Sequence, residues 1–223
     1  MVDPQTWQLI RDSLRPLLEG TLRGTIPLTA ISFVLGLVLA LVLALMRLSP
    51  VPPVQAVARA YVSVIRGTPL LLQLFIIYYG LPSLGVTIDP FPSAVIAFTL
   101  NVGGYASEVV RAAILAVPVG QWEAAATVGM GYPTSLRRIV LPQATRVAVP
   151  PLSNTLIALV KDTSLASTIQ VTELLRKAQE AAAPTYQFFA LYSLAAVYYW
   201  VICLALYFTQ SRLETRLDRY VAA

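Results

Sequence analysis

From Ile26 to Met46 the chain carries no charged residue. Wound as a helix at 1.5 Å per residue, such a run spans a bilayer hydrocarbon core of roughly 30 Å. Arg47 stops it, and Ser49-Pro50-Val51-Pro52-Pro53 makes a turn through which a helix does not continue. The rest of the chain agrees with a membrane as solvent. It is 57% apolar and 12% charged, against roughly 45–50% and 25% in ordinary globular domains. That is too little charge for a water-facing surface and too much apolar content for disorder. Sixteen Lys and Arg against eleven Asp and Glu give a net charge of +5. In an apolar chain such an excess holds loops at an anionic membrane face, and no basic stripe of a nucleic-acid module is present. Cys203 is alone and His is absent, which excludes a disulfide framework, a thiolate metal site and imidazole catalysis.

Met-Val-Asp-Pro lacks the basic start and apolar core of a cleavable signal peptide. Trp7, Ile10, Leu14, Leu17 and Leu18 recur at helical spacing opposite Arg11, Asp12 and Arg15, so residues 1–20 are expected to lie as an amphipathic helix along the membrane surface. A second apolar stretch runs from about Val54 to Tyr79 with Arg66-Gly67-Thr68-Pro69 inside it, and the Gly, Pro and Asp of 80–92 signal a loop. Ser93 to Leu115 gives a third span. Val147 to Val160 is short and runs into Lys161-Asp162-Thr163-Ser164, the pattern of a helix buried among neighbours or broken to line a cavity. Residues 173–186 are polar, with a turn at Pro184, and Gln187 to Ser211 is a final span. The expected fold is an all-α integral membrane protein of about five spans. Residues 21–212 form one transmembrane domain, and 213–223 a cytoplasmic tail. An odd number of spans puts the termini on opposite sides. A cytoplasmic C-terminus places Arg47, Arg59, Arg137, Arg138, Arg146, Arg212, Arg216 and Arg219 inside, and Arg11, Arg15, Arg23, Lys161, Arg176 and Lys177 outside.

Between the third and fourth spans, Glu123 to Met130 is a helix-forming run with a carboxylate in its first turn. Gly129 and Gly131 are expected to end it, Pro133 to open a second short helix and Pro142 to break that one. By residue chemistry alone this is a structured cytoplasmic loop.

The string EAAATVGMGYPTSLRRIVLP at 123–142 also resembles the EAA loop of ABC-importer permeases, with Glu-Ala-Ala, a Gly four residues after the second Ala, and Ile-x-Leu-Pro at the matching distance. RGTPLLLQLFIIYYGLP at 66–82, NVGGYASEVVRAAI at 101–114 and RVAVPPLSNTLIALVKDTSLASTIQV at 146–171 resemble the polar-amino-acid subfamily. LALMRLSP at 43–50 and DTSLASTIQV at 162–171 are most similar to its L-cystine branch. Two departures are Val119, where many relatives carry Lys, and Val102-Gly103-Gly104 in place of a Thr/Ala-rich triplet. The resemblance implies a type 1 ABC-importer transmembrane domain in a bacterial inner membrane, N-terminus outside, with an amino acid, L-cystine, as cargo. It makes Glu123, Ala124, Ala125 and Gly129 the residues that dock on the ATPase, and Ile139, Leu141 and Pro142 those that fix the loop beneath the membrane. It implies three partners: an ATPase subunit, an extracytoplasmic amino-acid-binding protein, and a second permease copy or homologue. No phosphate-binding G-x-x-x-x-G-K-S/T pattern occurs in the chain, so ATP belongs to the partner subunit and no cofactor is expected on this one.

Asn101, Tyr105 and Glu108 fall on one stripe of the third span, with Arg111 three residues beyond Glu108. An ionised group at mid-bilayer costs roughly 2.5–3.5 kcal/mol on insertion scales, so these residues should face protein or a wet cavity. They have two readings: an ion pair between Glu108 and Arg111 at helical spacing, or a cavity whose acid, base and amide meet the ammonium and carboxylate of an amino acid. Lys161, Asp162, Thr163 and Ser164 likewise read as an interface anchor or as part of the pathway. In the second case Asp162 faces the substrate ammonium and the hydroxyls orient it. Competing functions are import of another amino acid such as arginine or glutamine, an ATP-independent channel, and an intramembrane enzyme using Glu108 and Asp162 as acid and base.

Overall fold

The computed structural model describes residues 4–218, and these form helices joined by short turns. Helix α1 (Pro4–Gly20) passes through a π-helical turn, Thr21–Thr25, into α2 (Ile26–Leu48) without a break. The amphipathic segment and the first span are therefore one helix, and a boundary at residue 20 falls inside it. Pro27 follows directly on the π-helical turn, where the Ile26 N–H bonds to the Thr21 carbonyl five residues back and the ladder is already irregular. Helices α3 (Pro52–Gly67) and α4 (Leu70–Phe75) meet at a bend of 105°. Pro69 forces Thr68 out of the helical region, and the Thr68 hydroxyl donates to the Val64 carbonyl at 2.8 Å, closing the end of α3. A π-helical turn and a 3-10 turn, Leu81–Leu84, lead to α5 (Pro90–Leu115).

Two short helices follow, α6 (Val119–Thr127) and α7 (Tyr132–Ser135). The second continues through a π-helical turn, Leu136–Val140, into α8 (Leu141–Asp162). Pro142 does not break this helix, contrary to expectation, because it occupies the first turn of α8 directly after the wider π turn. The polar stretch after 173 is also ordered: it holds α9 (Leu174–Ala182), ahead of α10 (Phe188–Asp218). Arg219 and the rest of the tail to residue 223 lie outside the described residues.

Three helical stretches among the described residues are long and apolar enough to cross a membrane: Pro4–Leu48, Pro90–Leu115 and Phe188–Arg216. A fourth is present if the bent pair Pro52–Gly67 and Leu70–Leu84 counts as one. The 22-residue α8 has the length but is too polar to qualify on composition, carrying Gln143, Arg146, Asn154, Lys161 and Asp162. It packs against α5 and α10, burying Ala144, Ala148, Leu159 and Val160.

The core centres on the pairing of α2 with α5. Val102-Gly103-Gly104 explains how these helices come so close. A Cβ on Gly103 would stand 2.6 Å from Leu39 Cδ2, and one on Gly104 2.7 Å from Ile65 Cγ2. The two glycines thus seat α2 and α3 against α5, as small residues do between helices in lipid. A second anchor fixes the N-terminal helix. Glu173 is fully buried at the start of α9, where its Oε1 accepts the Arg176 N–H at 2.7 Å. Its Oε2 accepts the hydroxyls of Tyr199 at 2.7 Å and Thr25 at 3.4 Å.

Candidate functional site: a cavity between α5 and α8

A cavity of about 480 Å3 opens between the α3–α4 bend, α5 and α8, within the roughly 300–1,000 Å3 usual for small-molecule sites. Its polar wall is Asn101 and Tyr105 from α5, Asn154, Thr155 and Asp162 from α8, and Thr68 from the bend. Asp162 is half-buried at the end of α8, and among the described residues its carboxylate has no hydrogen bond or ion pair. An unpartnered acid beside amides and hydroxyls suits a ligand that brings an ammonium group.

The neighbouring side chains are held in place by groups that face away from the cavity. Gln73, 8% exposed, donates from Nε2 to the Ile65 carbonyl at 2.8 Å and to the Thr68 carbonyl and hydroxyl at 3.2 and 2.9 Å. Its Oε1 accepts from Asn101 Nδ2 at 3.1 Å. Gln73 therefore satisfies the backbone freed at the helix break and fixes the Asn101 amide, leaving Asn101 Oδ1 for the cavity. Asn154 is tied to the last helix, its Oδ1 accepting from Gln210 Nε2 at 3.3 Å. Within α8, Pro150 and Pro151 cannot donate to the previous turn. The Ser153 and Thr155 hydroxyls bond to the Val149 and Pro151 carbonyls at this irregular stretch.

Glu108 and Arg111 belong elsewhere. Glu108 accepts from Arg47 on α2 through Oε1 and from Arg111 through Oε2, at 3.3 Å from Nε and 3.1 Å from Nη2. Arg66 at the end of α3 stands 3.7 Å away. This carboxylate joins three helices and lines a second cavity of about 580 Å3. The expected stripe thus divides within one turn: Asn101 and Tyr105 share a cavity with Asp162, whereas Glu108 does not. Lys161 is exposed, and the Thr163 and Ser164 hydroxyls donate to the Val160 and Lys161 carbonyls at 2.7 Å, closing the end of α8. None of these three lines the cavity with Asp162. An acid–base pair of Glu108 and Asp162 is not assembled.

Glu123 and Ala124 of α6 are exposed, as is Gly129, whose φ of +78° turns the chain from α6 towards α7. Ala125 is 1% exposed and packs within the loop itself, so it is not on the surface that a partner could meet. The loop is held by Leu136 and Val140, which with Ala144 of α8 pack on Ala113 and Ile114 of α5 and on Val117 just beyond its end. The rings of Trp122 and Tyr132 stack across it at 5.4 Å. Leu141 joins that cluster at its edge, Ile139 is half-buried and Pro142 is exposed. The helical phase of the loop, which a motif match does not supply, decides which of its residues point inward.

Residues 10–219 match the family model described as "Binding-protein-dependent transport system inner membrane component". The chain is 58% identical over 217 residues, 97% of its length and 93% of the relative's, to the L-cystine transport system permease protein TcyB of Bacillus subtilis (strain 168). It is 40% identical over 174 residues, 78% of this chain and 80% of the relative, to the arginine transport system permease protein ArtQ of the same organism. A solved amino acid ABC transporter with histidines superposes with a TM-score of 0.88 at 35% identity, covering 97% of this chain and 99% of that one. The inward-facing MetNI methionine ABC transporter shares the fold, with a TM-score of 0.71 at 20% identity and coverage of 97% and 99%. An open cavity walled by one bent helix pair and two long helices, an unpaired acid within it and a match along nearly the whole chain agree: the protein belongs to the family of binding-protein-dependent transport-system inner-membrane components, as a multi-pass permease subunit and not an enzyme.

Proposed function

We propose that this permease imports an amino acid, L-cystine, across a bacterial inner membrane, and that the cavity between α5 and α8 is its passage. The observation that carries the reading is the unpartnered Asp162 carboxylate facing Asn101, Tyr105 and Asn154 in a cavity of amino-acid size. The 58% identity to a permease named for L-cystine transport supports that cargo over others. The ammonium group meets Asp162, and the amides of Asn101 and Asn154 orient the rest.

In this reading the chain crosses the membrane five times. The bent pair α3–α4 counts as one crossing and α8 as another, with the N-terminus outside and the C-terminus cytoplasmic. The exposed face of α6, with Glu123, Ala124 and Gly129, docks on a separate ATPase that binds and hydrolyses ATP. A binding protein delivers cargo from outside, and a second permease copy completes the passage. The test is ATP-dependent uptake of labelled L-cystine into vesicles holding permease, ATPase and binding protein, competed with arginine and glutamine. Uptake displaced by unlabelled L-cystine and not by the other two is expected. Preferential displacement by arginine or glutamine, the cargoes named for relatives at 40% identity, would overturn the cystine assignment and leave the permease role standing.

A further inference from the structure

The cavity lined by Arg66 and Glu108 follows the Asp162 cavity directly. Both are walled by α5 and α8: Tyr105 gives way to Glu108 three residues on along α5, and Asn154 to Pro151 three residues back along α8. The side chain at their boundary is Arg66, whose guanidinium lies over the Tyr105 ring at 5.4 Å from its centre. Tyr105 lines the first cavity and Arg66 the second.

Three guanidiniums surround one carboxylate here, so the cluster carries two positive charges in excess. They are not equally held. Arg47 and Arg111 both hydrogen-bond Glu108, whereas Arg66 at 3.7 Å lies beyond hydrogen-bond distance. Arg66 is also the most exposed of the three, at 45%. Arg47 Nε is buried without a partner, so Glu108 does not satisfy the cluster's donors. A planar guanidinium with open donors beside a cavity is suited to a carboxylate in two-point contact.

We propose that Arg66 forms a second station in the passage, taking the carboxylate of the amino acid as it leaves the Asp162 cavity. The inference rests on the passage proposed above. The first cavity grips the cationic end of a zwitterion and the second its anionic end, and Glu108 keeps the second grip weak by competing for the same arginines. Labelled L-cystine uptake into neutral phosphatidylcholine vesicles containing the complete transporter tests it. Arg66→Gln is expected to lower uptake about tenfold or more through loss of a charge-assisted contact. Arg66→Lys, which keeps the charge but not the fork, is expected to lower it about threefold. Wild-type uptake by Arg66→Gln while Asp162→Asn is inactive would overturn the station and leave the passage; wild-type uptake by both would overturn the two together. A defect of Arg66→Gln seen only after phosphatidylglycerol is added would assign the arginine to a lipid headgroup and overturn the proposal. A measurement on the unaltered protein guards against misfolding of the variants. Labelled L-cystine bound to the permease–ATPase complex is displaced by unlabelled L-cystine or by cystamine, which keeps both ammonium groups and the disulfide but has no carboxylate. Cystamine is expected to be about tenfold weaker or worse, and equal displacement would overturn the proposal.

Discussion

Replacing Glu108 by Gln tests whether this acid is chiefly a structural hub. The substitution keeps the shape and removes the negative charge, leaving Arg47, Arg66 and Arg111 facing one another. Removing one partner of a fully buried ion pair costs about 3–5 kcal/mol. The side chains of Arg47, Glu108 and Arg111 are 16%, 25% and 30% exposed, so water screens part of that cost. Arg66, at 45% exposure and without a hydrogen bond to Glu108, adds little. A loss of about 2–3 kcal/mol remains, once that screening is set against the buried-pair value. For a chain of this size it lowers Tm by about 4–12 °C. The assay is thermal unfolding of the purified permease in neutral detergent. Combining the change with Arg47→Met, which removes the most buried of the three cations, should restore part of the lost stability. A Tm within about 1 °C of wild type for Glu108→Gln would refute the reasoning, since such a shift is far below one kcal/mol.

Other consequences follow from particular contacts. Gly24→Ala would drive a Cβ against the Thr172 carbonyl and to 2.6 Å from Glu173 Cα; these are backbone atoms that cannot rotate away, so unfolding should show a loss of about 1–3 kcal/mol. Gln73→Leu strands the Ile65 and Thr68 carbonyls and the Asn101 amide; a loss of about 1–3 kcal/mol is expected in the same assay, together with reduced L-cystine uptake as Asn101 is released. Glu123→Arg alters an exposed side chain of α6, so its Tm should stay within about 1 °C of wild type while co-purification with the ATPase falls.

The membrane-crossing helices were legible because an uncharged run long enough to span hydrocarbon has few alternative folds. Ile26–Met46 sits inside α2 for that reason, and Gln187–Ser211 inside α10 but for its first residue. The α3–α4 break was not read from the sequence, where Arg66-Gly67-Thr68-Pro69 stood inside one apolar stretch, and neither was the role of Gln73. A glutamine in an apolar segment shows its value only when the carbonyls freed by the break are seen to converge on it. Glu108 illustrates the opposite difficulty. Spacing placed it on the stripe of Asn101 and Tyr105, yet Arg47 lies 61 residues earlier in the chain, and no local pattern reports such a partner. Glu173 looked like part of a polar loop because its hydroxyl partners come from the π-helical turn ahead of α2 and from α10. In the EAA loop the motif was plain, but the inward direction of Ala125 depended on how α6 seats against the π-helical turn that follows.

In the proposed passage Asp162 is the acid that receives the cargo. ATP-dependent uptake of labelled L-cystine by vesicles containing wild-type or Asp162→Asn permease, with ATPase and binding protein present in equal amounts, measures this directly. The substitution removes a charge-assisted contact worth about 1.5–3 kcal/mol, so uptake is expected to fall about ten- to a hundredfold at subsaturating cargo. Uptake by Asp162→Asn equal to wild type, from complexes assembled to the same extent, would contradict the account.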